Sequence, residues 1–319
     1  ESTEANSVLS LGVYMLQSVI DRLDSHVIHR IWIISDLQQR IPENAELCVR
    51  TAVDDFMDLG MKVNEVFYLG DSVEGTDIDY INQMTEMQIE QLGKIKVPKY
   101  YVVGNHDYEY FRYHQKNSGM TGIVIPFCER VKALDDWRVQ PSIETFCFTE
   151  DFGPFVAYFF PDHGDSQSGR WHTTNGEVWG DKSAYIYSQE DFDRVRESIA
   201  ACGKPVFTFS HYSFMGGNRE SPLLSRFLPL PDNVRMHFYG HAHIGDAKWA
   251  GKDCFRKIAS VDNQPIVQIN CASLENFRGS AIRSVFFEIY DNGDVGVLFR
   301  NHTKHQWDDI YLQHANSAR

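Results

Sequence analysis

A chain of 319 residues that is 43% hydrophobic and 23% charged has the composition of an ordinary globular protein, with ample apolar material for a core. Its 44 Asp and Glu outweigh 30 Lys and Arg, for a net charge of -14, which repels a phosphate backbone and disfavours nucleic acid as a partner. No apolar run approaches the ~18 residues that a membrane helix needs.

The order of elements is read from periodicity. Leu9, Val13, Leu16, Ile20 and Leu23 fall at helical spacing, so the first 27 residues form a helical extension. "HRIWIIS" (29–35) is a short apolar run of the kind buried on both faces of a sheet. A helix follows over 44–60, with Asn44 as its N-cap and Gly60 as its stop. A strand over 63–70, a helix over 77–93 and a strand over 98–104 complete a parallel α/β pattern. Residues 107–187 are irregular, with strand candidates at 143–149 and 154–160. A helix capped by Ser188 is expected over 188–203, then buried strands over 204–210 and 233–240. The last third turns β-rich, with a hairpin at Asn292-Gly293. No linker long enough to separate domains is visible, which predicts one domain of 319 residues.

Cysteines 48, 128, 147, 202, 254 and 271 are scattered without a C-x-x-C, the pattern of reduced thiols in a cytoplasmic protein. A chain beginning at Glu1 rather than Met leaves room for a processed leader, and so for a secreted or periplasmic location.

Ligands in open α/β sheets bind beyond the carboxyl ends of the strands. Five predicted strands here end in chemically related groups: Asp36 and Gln38; Asp71 and Glu74; Asn105, His106 and Asp107; His211; and His241 with His243. Taken singly, each has an ordinary explanation as a turn, a cap or a satisfied polar side chain. Five in succession on one sheet edge point to a metal site. Carboxylates, a carboxamide and imidazoles suit Mn, Fe, Zn or Ni rather than Ca. The number of ligand-type groups exceeds what one four-coordinate ion takes, which favours two ions and a bridging carboxylate.

The order Asp36-x-Gln38, Gly70-Asp71-x-x-Glu74, Gly104-Asn105-His106-Asp107, His211 and Gly240-His241-x-His243 resembles the calcineurin-like metallophosphoesterase superfamily. The resemblance implies a four-layer α/β/β/α sandwich around a dinuclear centre. Asp36, Asp71 and His243 would hold the first divalent transition-metal ion, and Asn105, His211 and His241 the second, with Asp71 bridging. A metal-activated water would attack phosphorus while His106, a non-ligating histidine, protonates the leaving group. Either Asp107 or Glu74 would hold the His106 tautomer.

Two departures stand out. Gln38 occupies a position where the family usually has His, and its carboxamide either ligates the first ion weakly or bonds beside it. The segment after Asp71 lacks the Asp-Arg-Gly of the core Ser/Thr protein phosphatases, which argues against that branch. Arg40, Arg112, Arg170, His172 and Arg219 could each clamp a phosphate, although a solvated surface position explains each as well. Arg219, in a Gly-rich loop eight residues past His211, is the best of them. The leading expectation is a hydrolase of a small-molecule phosphomonoester. The alternatives are a cyclic-nucleotide or other phosphodiesterase and, in a different class, a non-catalytic metal-binding scaffold.

Overall fold

The computed structural model describes residues 15–110, 113–114, 125–139, 147–160, 171–172, 178–179, 188–214, 224, 227–243, 256–261, 264–276 and 280–315. Its helices are α1 (15–24), α2 (Pro42–Leu59), α3 (Ile78–Leu92), α4 (Pro126–Val131) and α5 (Gln189–Ala201). Its strands begin with β1 (Val27–Ile34), β2 (Glu65–Tyr68), β3 (Lys99–Tyr101), β4 (Trp137–Val139), β5 (Phe148–Asp151) and β6 (Val156–Phe159). The short pair β7 (Trp171–His172) and β8 (Val178–Trp179) precedes β9 (Val206–Ser210) and β10 (Val234–Tyr239). The remainder are β11 (Arg256–Val261), β12 (Gln264–Asn270), β13 (Arg283–Tyr290), β14 (Val295–Asn301) and β15 (Gln306–Gln313).

Two mixed sheets stack face to face. One runs β15-β14-β13-β1-β2-β3-β4 and the other β11-β12-β10-β9-β6-β5. β1 to β4 are parallel, as are β6, β9, β10 and β12, while β15, β11 and β5 close the other edges as antiparallel strands. β1 shows why its apolar run carries no alternation. Ile31 and Ile33 point into the layer between the sheets, against Phe67, Phe207 and Phe287. Trp32 and Ile34 point the other way, into a core shared with Val49, Val53 and Phe56 of α2. The outer face of the second sheet is covered by Phe192 and Ile199 of α5, packed on Val156, Tyr158 and Val206. Helices, sheet, sheet and helix make the four expected layers.

Several boundaries differ from the sequence reading. α2 starts at Pro42, with Ile41 as the capping residue, so Asn44 is not the N-cap. Proline at the first helical position loses no hydrogen bond there and its fixed φ suits the helix. Asn44 instead sends its side chain to Gln39 and Asn276. Gly60 does stop the helix, in the left-handed conformation. The candidate strand at 143–149 is displaced to Phe148–Asp151, and the part of it before residue 147 lies outside the described residues. β4, β7, β8, β11 and β15 have no counterpart in the sequence reading. No helix among the described residues is long and apolar enough to cross a membrane.

Candidate metal centre

The carboxyl ends of β1, β2 and β3 in one sheet and of β9 and β10 in the other meet along one edge of the sandwich. The loops there are tied together through their backbones. Asp36 N–H donates to Gly70 O at 3.0 Å, Leu37 and Gln38 N–H donate to Asp71 O at 3.0 Å each, and Gly240 N–H donates to His211 O at 3.1 Å. Asp36, Asp71 and His241 all sit in the left-handed region, with φ of 56°, 55° and 59°. Such a conformation is strained for a side-chain-bearing residue, by roughly 1–2 kcal/mol, and is typical of functional sites. Gly104 is required by close approach, because a Cβ there would strike the Asp71 carboxylate and its backbone nitrogen.

These constraints bring together the residues read as ligands. Asp71, His211 and His241 form one group of ligand atoms lying within 4.8 Å of one another, and Asp36, Asp71 and His243 form another. Asp71 belongs to both. Asn105 Oδ1 lies 3.1 Å from His211 Nε2, which is also 3.1 Å from Asp71 Oδ2. Gln38 is fully buried in the second group, its Nε2 2.8 Å from His243 Nε2 and 3.2 Å from Asp71 Oδ2. Burial opposes ionisation of Asp36 and Asp71. The imidazoles of His243 and His211, when they carry a second proton, hold Asp36 below its usual range, and those of His211, His106 and His241 do the same for Asp71.

His106 stands at the mouth, its peptide N–H on Asp71 Oδ1 at 2.8 Å and its ring Nδ1 on Glu109 Oε1 at 2.8 Å. Glu74 completes this cluster and accepts from Arg40 Nε at 2.7 Å. Burial lowers the affinity of His106 for a proton, but Asp71, Glu109 and Glu74 more than offset it and raise its pKa to about 9.

Asp107 is not the partner of His106. Its buried carboxylate instead accepts from Gly104 N–H (2.7 Å), Asp71 N–H (3.0 Å), Ser72 N–H (3.0 Å) and Tyr101 Oη (2.5 Å). The side chains of a tight 3₁₀ turn fan out around its axis, so adjacency in sequence does not bring neighbours together. Glu109, one turn on from His106, is the carboxylate that reaches the ring. The sequence reading missed it, and also Glu275, whose Oε1 lies 2.6 Å from His243 Nδ1. Arg112, Arg170 and Arg219 lie outside the described residues, as does the side chain of His172.

The family model for calcineurin-like phosphoesterases matches residues 29–245, about two-thirds of the 319. The chain belongs to the calcineurin-like phosphoesterase family. Members of this family are metallophosphoesterases, and this chain is accordingly an enzyme of metal-dependent phosphoester hydrolysis with a dinuclear site for divalent ions. By fold it is similar to a dimetal phosphatase from Danio rerio, at 10% identity and a TM-score of 0.60 over 91% of this chain and all of that one. A Thermus thermophilus protein, TT1561, is similar at 11% identity and a TM-score of 0.43, over 90% of this chain and 99% of that one. Compared by sequence with curated proteins, the chain has no significant match.

The donor set of this calcineurin-like centre fits such ions. His211 Nδ1 lies 2.7 Å from Leu69 O, and a carbonyl only accepts, so that nitrogen carries the proton and Nε2 presents its lone pair. That lone pair faces oxygens of Asp71 and Asn105, an acceptor-rich arrangement suited to a cation. Gln38 Oε1 is buried with no hydrogen-bond partner among the described residues, and a carboxamide turned over would aim that oxygen at the Asp71 and His243 side of the pocket. Carboxylates, carboxamides and imidazoles together suit a borderline transition metal.

Proposed function

We propose that the protein hydrolyses a small-molecule phosphomonoester, with His106 as the general acid. Asp36, Gln38, Asp71 and His243 would hold one ion, and Asp71, Asn105, His211 and His241 the other. Divalent ions there supply Lewis-acid polarisation of the phosphoryl group and a more acidic water.

The observation that carries the reading is the His106–Glu109 pair beside Asp71. With its pKa raised to about 9, the imidazole holds a proton at neutral pH and is ready to give it up. Ions held by Asp71 would cancel part of the charge that raises it and move it toward the working range. The Glu109 carboxylate accepts from Nδ1 and so leaves Nε2–H as the proton to be delivered to a leaving alkoxide. Glu109 is itself anchored by Gly75 N–H at 2.6 Å, so the ring is held in one orientation.

A monoester is favoured over a diester by Arg40. Its guanidinium is 83% exposed, held by Glu74 on the His106 side of the centre, and adds a cation suited to a dianionic phosphoryl group. The net charge of -14 favours a small substrate over a polyanion. The test is turnover of p-nitrophenyl phosphate against bis(p-nitrophenyl) phosphate, each with added Mn²⁺ and again after chelation. The expected result is metal-dependent turnover of the monoester well above the diester. A preference for the diester would reassign the enzyme as a phosphodiesterase, and no turnover of either in metal-loaded protein would overturn the monoester reading.

A further inference from the structure

Beyond the last family-matched residue the chain returns to the metal centre. The segment Asn270–Asn276, from the end of β12, is bound to two of its loops and to α2. Asn270 Nδ2 donates to Ala242 O at 2.9 Å, between the two histidines of the β10 loop. Leu274 and Glu275 N–H donate to Ser35 O and Asp36 O at 2.9 and 3.0 Å. Asn276 Oδ1 accepts from Asn44 Nδ2 at 3.0 Å, at the start of α2.

Within this strap the Glu275 side chain is fully buried and meets His243 Nδ1 at 2.6 Å. A buried carboxylate is an expensive way to fill space, and an apolar residue would fill it better. What a carboxylate adds is orientation and charge. It accepts the Nδ1 proton and thereby turns the Nε2 lone pair toward Asp36 Oδ1, 3.1 Å away. His211 in the other group gets only the first of these from Leu69, because a backbone carbonyl carries no net charge. The asymmetry coincides with Gln38, whose neutral carboxamide lies 2.8 Å from the same His243 nitrogen.

We propose that Glu275 is a positioning residue that sets the affinity of the Asp36–Asp71–His243 site, making His243 a stronger donor where Gln38 is a weak one. This rests on the dinuclear reading above. Carboxylates behind metal-binding imidazoles are worth ~10- to 100-fold in metal affinity.

The test strips the full chain of metal by chelation and titrates it with Mn²⁺ by calorimetry, counting bound ions by elemental analysis. Glu275→Gln keeps the shape and can still accept the Nδ1 proton, so it isolates the charge. Glu275→Leu removes both contributions. Wild type should take up two ions. One of them should weaken ~10-fold in Glu275→Gln and ~100-fold in Glu275→Leu, while the other changes little. If Glu275→Leu does not fold, Glu275→Gln decides alone. Two ions held as tightly as in wild type, or both weakened equally, would overturn the proposal and leave the dinuclear reading standing. A wild-type chain that takes up fewer than two ions overturns both.

Discussion

His106 and Asp107 are consecutive in the chain and belong to different parts of the molecule. The imidazole is at the mouth against Glu109, 2.8 Å away, and the carboxylate is buried against the backbones of Gly104, Asp71 and Ser72. One of the pair lies at the opening of the ligand cluster and the other ties the loops beneath it together.

His106→Asn should therefore keep its metal content while the rate falls by ~10²–10⁴, the range for a lost general acid. The defect should be larger on alkyl phosphates than on p-nitrophenyl phosphate, because p-nitrophenolate leaves almost unaided. Glu109→Gln should reduce kcat in the same leaving-group-dependent way, by less. Steady-state kinetics on the two ester classes checks this, and equal defects on both would mean that His106 orients the phosphate and donates no proton.

Asp71 is shared by both groups of ligand atoms, whereas Asp36 belongs to one. Asp71→Asn should lower the uptake of both ions and Asp36→Asn that of one. Elemental analysis after loading distinguishes them, and a greater loss in Asp36→Asn would remove Asp71 from the bridging position.

Gln38→His replaces a carboxamide with an imidazole beside Asp71 and His243. The Mn²⁺ concentration for half-maximal activity should fall, since imidazole is the better donor to a borderline ion. An unchanged requirement would place this side chain off the metal.

Asp55 of α2 is gripped by Arg300 Nε and Nη2 at 2.8 and 2.7 Å, by His302 Nδ1 at 2.8 Å and by His305 Nδ1 at 2.7 Å. Burial would raise the Asp55 pKa, but the hydrogen bonds from Arg300 and His302 hold it well below the ordinary carboxylate value. Its stabilisation is present above about pH 4 and is lost as the pH falls toward the folded value. Burial depresses the pKa of His302, with Asp55 opposing in part, so the unfolded chain takes up its proton first, from about pH 6.5 downward. Stability should thus decline on acidification from about pH 6.5. Asp55→Asn should cost about 3–5 kcal/mol at pH 7, because it leaves a buried guanidinium unpaired. Urea unfolding at pH 7, 5 and 3.5 measures both effects, and a cost below about 1 kcal/mol would show that the network is dispensable.

The groups at the strand ends were legible because each is local. A buried apolar run followed within a few residues by Asp, Asn or His is visible in one dimension, and a parallel pattern places such endings on one edge within a sheet. The reading of all five on a single sheet is corrected, because β1, β2 and β3 belong to one sheet and β9 and β10 to the other, and the stacking of the two sheets is not written in local periodicity. Glu109 was within reach of the same logic, three residues past His106. Glu275 was not, since it stands 32 residues beyond His243 and its contact depends on the path of the chain after β12. Asp107 misled because sequence gives adjacency without direction. Asn44 misled because Pro42, two residues earlier, had already opened α2. β15 escaped because "QWDDIYLQ" is an edge strand with mostly half-exposed residues and so carries no clear buried alternation.

Asp36, Asp71 and Asn105 come from the loops of one sheet, and His211, His241 and His243 from those of the other. Any ion held between them is a cross-link between the two halves of the sandwich, and it is available only once the halves have met. Loading at a hundred times Kd is then worth about 2.7 kcal/mol of added stability per ion. The preferred metal can in this way be ranked from melting temperatures, with no substrate in hand.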